Sequence, residues 1–92
     1  MRYIDWPEDK NQQLKRDRGI NFEQVLVAIE AGNILDIVEH HNPKQYPDQK
    51  IFIIAIANYV YLVPFVEDDE KVFLKTIIPS RKATKKYLTF KK

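Results

Sequence analysis

The stretch IFIIAIANYVYLVPFV, residues 51–66, decides the fold of this chain. It is rich in β-branched and aromatic residues, and Asn58 interrupts it where a short connection would join two strands. Residues 51–57 are apolar on both faces, which predicts a strand at the centre of a sheet. Residues 59–66 predict an antiparallel neighbour, with Pro64 at a bulge or an edge because proline cannot donate to a β ladder.

Further strands flank this hairpin in the sequence. Residues 72–78 follow the acidic run 67–70, a solvated turn, and extend the hairpin into an antiparallel meander. Residues 34–40 predict a fourth strand, which the Pro-containing loop 41–50 separates from the hairpin. Residues 1–4 could add a short edge strand.

Two helices are expected before the strands. Residues 7–17 start with proline, carry acids early and bases late, and are closed by Gly19. Asn21 is the N-cap of the second helix, with Gln24 three residues on. The apolar face of this helix is formed by Phe22, Val25, Leu26 and Ile29.

A third, short helix is expected over residues 81–88, with Ser80 as its cap. The sequence therefore predicts a single α+β domain over residues 1–92. Its two N-terminal helices pack on a four-stranded antiparallel sheet, and a short basic helix follows at the C-terminal end.

Composition supports a folded chain with an uneven distribution of charge. The 92 residues are 45% hydrophobic, and the net charge is +2. Residues 1–78 hold 9 Lys/Arg against 13 Asp/Glu, or −4, whereas residues 79–92 hold 6 against none, or +6. A polyanion is therefore the expected partner of the C-terminal segment.

Several classes of protein are disfavoured. The chain has no cysteine, which excludes disulfides and Cys-ligated zinc and fits a reducing compartment. The N-terminal residues lack the apolar stretch of a signal peptide, and the apolar runs are too short to span a bilayer. We therefore expect a cytoplasmic location and no contact with a membrane.

The segment SRKATKKY, residues 80–87, is the strongest candidate site. It combines a helix N-terminus, which favours anions, with four cations and with Tyr87, whose ring can stack on a base. Nucleic acid fits this combination best. The alternative is that a lysine-rich end only keeps the protein soluble, although Arg81 and Lys82 should be held firmly because they directly follow a strand.

The histidine pair His40–His41 is the second candidate. An imidazole could act as general acid or base in RNA cleavage, in which a 2′-hydroxyl attacks the adjacent phosphate. The alternative is a polar strand end that runs into a loop. No spacing typical of a metal, nucleotide or dinucleotide site occurs, so no metal and no cofactor is expected.

The order of several short motifs resembles that of BrnT-like toxins, a family in the RelE-type ribonuclease superfamily. These motifs are Asp5-Trp6, Lys10-Asn11, residues 18–23 (RGINFE) and residues 80–84 (SRKAT) after a strand. The resemblance covers nearly the whole chain. It implies a RelE-like fold and a metal-independent endoribonuclease that arrests growth. It also implies inhibition by a cognate antitoxin, often within a higher-order toxin–antitoxin complex.

The resemblance also implies roles for individual residues. Arg81 and Lys82 match the family's basic motif and would bind phosphate and stabilise the transition state. Lys10 matches a basic position in the first helix. The family usually has Lys-His before the glycine, whereas this chain has Asp17-Arg18 before Gly19, so a histidine base is absent there.

We therefore predict a toxin in which Arg81 and Lys82 act on the scissile phosphate and His40 or Tyr87 transfers protons. RNA would also be bound by Lys10, Arg18, Lys85 and Lys86. The alternative is a non-catalytic RNA- or protein-binding module, because the family's histidine is missing. A third reading is a subunit whose sheet edge or basic tail binds an antitoxin without nucleic acid.

Overall fold

A computed structural model of the protein describes residues 3–40, 42 and 44–88. In chain order the elements are β1 (Tyr3–Asp5), α1 (Glu8–Arg18), α2 (Phe22–Glu30), β2 (Ile34–Glu39), β3 (Lys50–Ile56), β4 (Tyr59–Glu67), β5 (Lys71–Leu74), β6 (Ile78–Pro79) and α3 (Arg81–Leu88). The α+β class and the three predicted helices are confirmed.

The sheet differs from the predicted one in strand number and direction. It has six strands in the order β1-β5-β4-β3-β2, with β6 also paired to β4. The prediction of four antiparallel strands is wrong, because β1 runs parallel to β5, with Tyr3 opposite Lys71. This pairing joins residues far apart in the sequence, so no local turn signal announces it. The expected edge strand is confirmed at Tyr3–Asp5; Met1 and Arg2 lie outside the described residues.

Pro64 determines where the neighbouring strand breaks. The predicted strand 72–78 is two strands: Leu74 of β5 lies opposite Phe65, and Ile78 of β6 lies opposite Leu62. Between these two pairs the neighbouring chain advances by four residues and β4 by three, so the extra residue forms a bulge beside Pro64 and Val63. Pro64 is buried within the sheet and is not at an edge.

The bulge lies on the side of β4 that faces β5 and β6, and not on the side that faces β3, because of the backbone of Pro64. The N–H of Lys75 donates to the carbonyl oxygen of Pro64 at 2.8 Å, so the backbone polar groups of Pro64 face β5 and β6. The missing N–H of proline therefore faces the same side, whereas Pro64 still lies opposite Ile51 in an unbroken β3–β4 ladder.

The main core lies between the sheet and the first two helices. Its buried members include Leu14, Ile20, Phe22, Val25, Ala28, Phe52, Ile54, Val63, Phe65, Leu74 and Ile77. The capping box of Asn21 and Gln24 is present, and Gly19 ends α1 with φ of 68°, as the sequence predicts. Ile51 and Ile53 are buried on the opposite face of β3, which confirms that this strand is apolar on both faces.

The turn between β3 and β4 stores backbone strain that a substitution should relieve. Ala57 and Asn58 both have positive φ, 53° and 66°, between the paired residues Ile56 and Tyr59. This is the two-residue hairpin turn that favours Asn and Gly. Because Asn tolerates left-handed φ better than Ala, we expect Ala57→Asn to raise the free energy of unfolding by about 0.5–1 kcal/mol in urea denaturation.

Asn58→Ala supplies the matched opposite change. It should lower the free energy of unfolding by about 0.5–1 kcal/mol. If Ala57→Asn were neutral or destabilising, left-handed strain at Ala57 would not be a property of the folded protein in solution.

Candidate nucleic-acid interface

The start of α3 is held tightly against the sheet. The N–H of Ser80 donates to the carbonyl of Val60 at 3.0 Å, directly after β6. The Ser80 hydroxyl then accepts from the N–H of Ala83 at 3.0 Å, which confirms the predicted cap. Arg81 and Lys82 therefore occupy the first helical turn at a point that the strand ladder fixes.

Thr84 provides a second anchor for the same helix. Its hydroxyl donates to the carbonyl of Ser80 at 2.8 Å and accepts from the N–H of Val60 at 2.9 Å. Val60 is fully buried, so this bond satisfies a backbone donor that water does not reach. One hydroxyl thus joins the first turn of α3 to the start of β4.

The cations of α3 project outward. Arg81, Lys82, Lys85 and Lys86 are all exposed. No acid lies in the first turn of the helix, and within residues 3–40, 42 and 44–88 no carboxylate forms an ion pair with Arg81 or Lys82. Because residues four apart share a helix face, Arg81 lies above Lys85, and Lys82 lies above Lys86.

A cleft between α1 and the segment that joins β5 to β6 brings in two more predicted residues. This α1 cleft has a volume of about 300 Å³ and is lined by Lys10, Gln13, Leu14, Asp17, Arg18, Thr76, Ile77 and Ile78. Lys10 and Arg18, about two turns apart on α1, therefore line one concave site. Ile78 precedes Arg81 by three residues, at most about 11 Å of extended chain. The start of α3 is therefore a short segment of chain away from the α1 cleft, whose lining residues come from α1 and from residues 76–78.

His40 lies at the other end of the sheet. The backbone N–H of His40 donates to the carbonyl of Gln49 at 3.2 Å. Helix α3 begins beside Val60 of β4, and Val60 pairs with Ala55 of β3. Ala55 and Gln49 are six residues apart, about 20 Å along a strand. The structure therefore does not bring His40 together with Arg81.

The ring of His40 has local partners. Its Nδ1 accepts from the N–H of Asn42 at 3.1 Å, and the ring lies 4.4 Å from that of Tyr46, measured between centroids. These contacts link His40, which follows β2, to Asn42 and Tyr46. His41, the other member of the predicted pair, lies outside the described residues.

Tyr87 faces the sheet rather than the exposed cations. Its hydroxyl donates to Asp36 Oδ2 in β2 at 3.1 Å. Burial raises the pKa of the Tyr87 phenol, and the hydrogen bond to Asp36 and the charge of that carboxylate raise it further. The raised pKa makes the Tyr87 phenol a weaker acid than a free tyrosine, and its contact with Asp36 holds the last turn of α3 on β2. The Nζ atom of Lys86 lies 5.5 Å from the centroid of the Tyr87 ring.

The contact to Asp36 also defines the side of the sheet on which α3 lies. Asp36 pairs with Ile53, and the next pair along the two strands is Ile37 and Phe52. Phe52 belongs to the core between the sheet and the N-terminal helices. Because side chains alternate along a strand, Asp36 points to the opposite face. Helix α3 therefore covers the face that α1 and α2 leave open.

Sequence reasoning missed three polar residues that shape the start of α3 and the α1 cleft. Thr84 anchors α3, while Gln13 and Thr76 line the α1 cleft. Thr84 carries a weak signal, a hydroxyl residue four positions after the cap in an otherwise cationic helix. Gln13 and Thr76 carry none, since only the packing of α1 against the β5–β6 segment brings them together.

Comparison of the chain with protein-family models, with curated proteins and with solved structures found no match. Within the part of the chain that the structure describes, no helix is long and apolar enough to cross a membrane. The same residues contain no group of three or more His, Asp or Glu side chains arranged to hold a metal ion.

Proposed function

We propose that the protein binds RNA through the basic surface that the exposed cations of α3 form. The observation that carries this proposal is the pair Arg81 and Lys82, exposed, free of carboxylate partners among the described residues and fixed at a capped helix start. Phosphates attract such cations, and a bidentate guanidinium suits phosphate geometry. Lys10 and Arg18, which line the α1 cleft on the other side of the sheet, would hold a second stretch of phosphates.

The biological setting that we propose follows from the resemblance to BrnT-like toxins. In it the chain is a RelE-like toxin of the cytoplasm that cuts RNA without a metal and is inhibited by a cognate antitoxin. Arg81 and Lys82 would stabilise the charge that develops on the phosphate during attack by the 2′-hydroxyl. Lys85 and Lys86 would hold flanking phosphates.

A non-catalytic RNA-binding module is the second candidate. The position of His40 and the hydrogen bond of Tyr87 favour it. His40 lies about 20 Å along the sheet from the start of α3, and the Tyr87 hydroxyl donates to Asp36. Both groups proposed for proton transfer are therefore engaged away from Arg81. The acid that lines the α1 cleft, Asp17, is also engaged, because its carboxylate lies 3.7 Å from Arg16 Nε.

RNA binding is tested by the salt dependence of affinity for a fluorescent single-stranded RNA. For each phosphate contact removed, the slope of log K against log salt should become shallower by about 0.7. We expect this change for Arg81→Ala and for Lys82→Ala, with affinity lowered about three- to tenfold at ~0.1 M salt. Lys44→Ala, which removes one exposed cation from the 41–50 loop, is the control and should leave the slope unchanged.

The same samples separate the two candidates. Incubation with RNA in excess EDTA should release fragments with 2′,3′-cyclic phosphate ends if the protein is a metal-independent ribonuclease, and induction without an antitoxin should then stop growth. Salt-sensitive binding without fragments would assign the chain to the binding module. Equal slopes for Arg81→Ala and Lys44→Ala would refute the RNA surface itself.

A further inference from the structure

A second surface differs chemically from the basic one, because it combines carboxylates with exposed apolar groups. Residues 19–43 contain four acids, Glu23, Glu30, Asp36 and Glu39, and neither lysine nor arginine. On α2, Glu23, Val27 and Glu30 follow the i, i+4, i+7 spacing of one helix face. Val27 is 64% exposed although it belongs to a helix whose other face is core. We call these three residues the acidic stripe.

An apolar groove runs beside the acidic stripe. It lies between α2 and the end of β3, has a volume of about 380 Å³, and is lined by Glu23, Val27, Ala28, Ala55, Ile56 and Ala57 among others. Its aliphatic lining can receive one or two aliphatic side chains from a ligand, while Glu23, Gln24 and Asn33 supply polar groups. None of its lining residues belongs to the α1 cleft.

The charge on the rim is held in place. Asn11 Nδ2 donates to Glu23 Oε1 at 2.9 Å, which orients this carboxylate beside the groove. The hydrogen bond from Asn11 lowers the pKa of Glu23, so the group stays ionised at neutral pH. The rim therefore attracts cations and repels the phosphates of RNA.

We propose that this groove docks a basic amphipathic helix of a partner protein. Aliphatic residues of that helix would fill the groove beside Val27, and its lysine or arginine side chains would face Glu23 and Glu30. Charge complementarity selects this occupant, and recognition of a helix in a groove needs no free backbone groups on the receiving protein. This interaction goes beyond the proposed RNA surface and does not depend on it.

Two other occupants fit less well. A partner strand would add to the edge of β2 and not enter the groove, and at that edge Asp36 Oδ1 already accepts from the N–H of Ile37 at 2.8 Å. The basic helix of a second copy, α3, exposes its cations, but the side of the helix that carries Thr84 and Tyr87 faces its own sheet and cannot fill the groove.

The test uses the full chain and a synthetic peptide of about 14 residues, roughly four helical turns, built from Leu and Lys with Leu at helical spacing. A peptide of equal composition in scrambled order is the control ligand. We expect the amphipathic peptide to bind at least about tenfold more tightly in fluorescence anisotropy. Val27→Lys should weaken its binding about tenfold, because it places a cation beside the groove.

Two variants of the protein provide matched controls. Ile37→Lys adds the same cation at another half-exposed apolar site and should change affinity by less than about twofold. Arg81→Ala should leave peptide binding unchanged, which keeps this test independent of the RNA surface. Equal binding of the scrambled peptide, or unchanged affinity of Val27→Lys, would overturn the proposal. So would a dimer in sedimentation that Val27→Lys converts to a monomer, since the occupant would then be a second copy.

Discussion

Asn11→Leu is expected to lower the free energy of unfolding by about 2–3 kcal/mol. Asn11 is fully buried in α1. Its Oδ1 accepts from the N–H of Phe22 at 2.7 Å, and its Nδ2 donates to Glu23. Leucine keeps the volume and favours the helix, but leaves the first N–H of α2 buried without an acceptor.

The measurement is urea denaturation of the wild type, Asn11→Leu and Gln12→Leu. Gln12 is the next residue of α1 and is exposed, with one hydrogen bond from its Nε2 to Glu8 Oε2 at 2.7 Å. Such an exposed pair contributes a few tenths of a kcal/mol, so Gln12→Leu should change stability by less than about 0.5 kcal/mol. Equal losses for both variants would show that Asn11 does not join the two helices.

The same variant has a pH signature. The pKa of Glu23 is lowered from its ordinary value of 4.5, first by the Asn11 hydrogen bond. A carboxyl with a depressed folded pKa stabilises the protein above its unfolded pKa, and this contribution is lost as pH falls through the folded pKa. Asn11→Leu removes the main cause of the shift. The stability difference between wild type and variant should therefore narrow as pH falls below about 4.5.

Thr84→Val is expected to cost about 1.5–2.5 kcal/mol and to loosen α3. Valine matches threonine in shape and in helix propensity, so the change isolates the hydroxyl. Without it the buried N–H of Val60 has no acceptor, and the carbonyl of Ser80 loses one donor. Arg81 and Lys82 are then less firmly positioned.

Thr84→Ser is the matched control, because it keeps the hydroxyl and removes only a methyl group worth about 0.8 kcal/mol when buried. Urea denaturation reports global stability, and amide hydrogen exchange along α3 reports local opening. We expect faster exchange in α3 for Thr84→Val than for Thr84→Ser. If both variants matched the wild type in exchange, the Thr84 bond would not hold α3 on the sheet.

The elements of this fold could be predicted from the sequence because their signals are local. The apolar face of α2, the Asn21 cap and the connection at Asn58 depend on residues within one or two turns of each other. The same holds for the Ser80 cap, which made the start of α3 and the position of Arg81 predictable. Only the chemical role of that site remains a proposal.

The candidate site could be predicted in part. The cations of α3 lie on one short segment, and its composition alone identifies them. His40 and Tyr87 joined the predicted site by residue type, but their surroundings depend on the sheet. His40 sits at the far end of β2, and Tyr87 reaches across to Asp36.

By itself the sequence determined the helices, the central hairpin and the separation of a basic C-terminal segment from an acidic middle. The tertiary structure alone decided that β1 pairs parallel with β5, that residues 72–78 divide opposite Pro64, and that Lys10 and Arg18 line one cleft with the segment between β5 and β6. The reason is physical. Helix periodicity and caps act within a few residues, whereas strand order and clefts result from contacts between distant segments, which propensity does not encode.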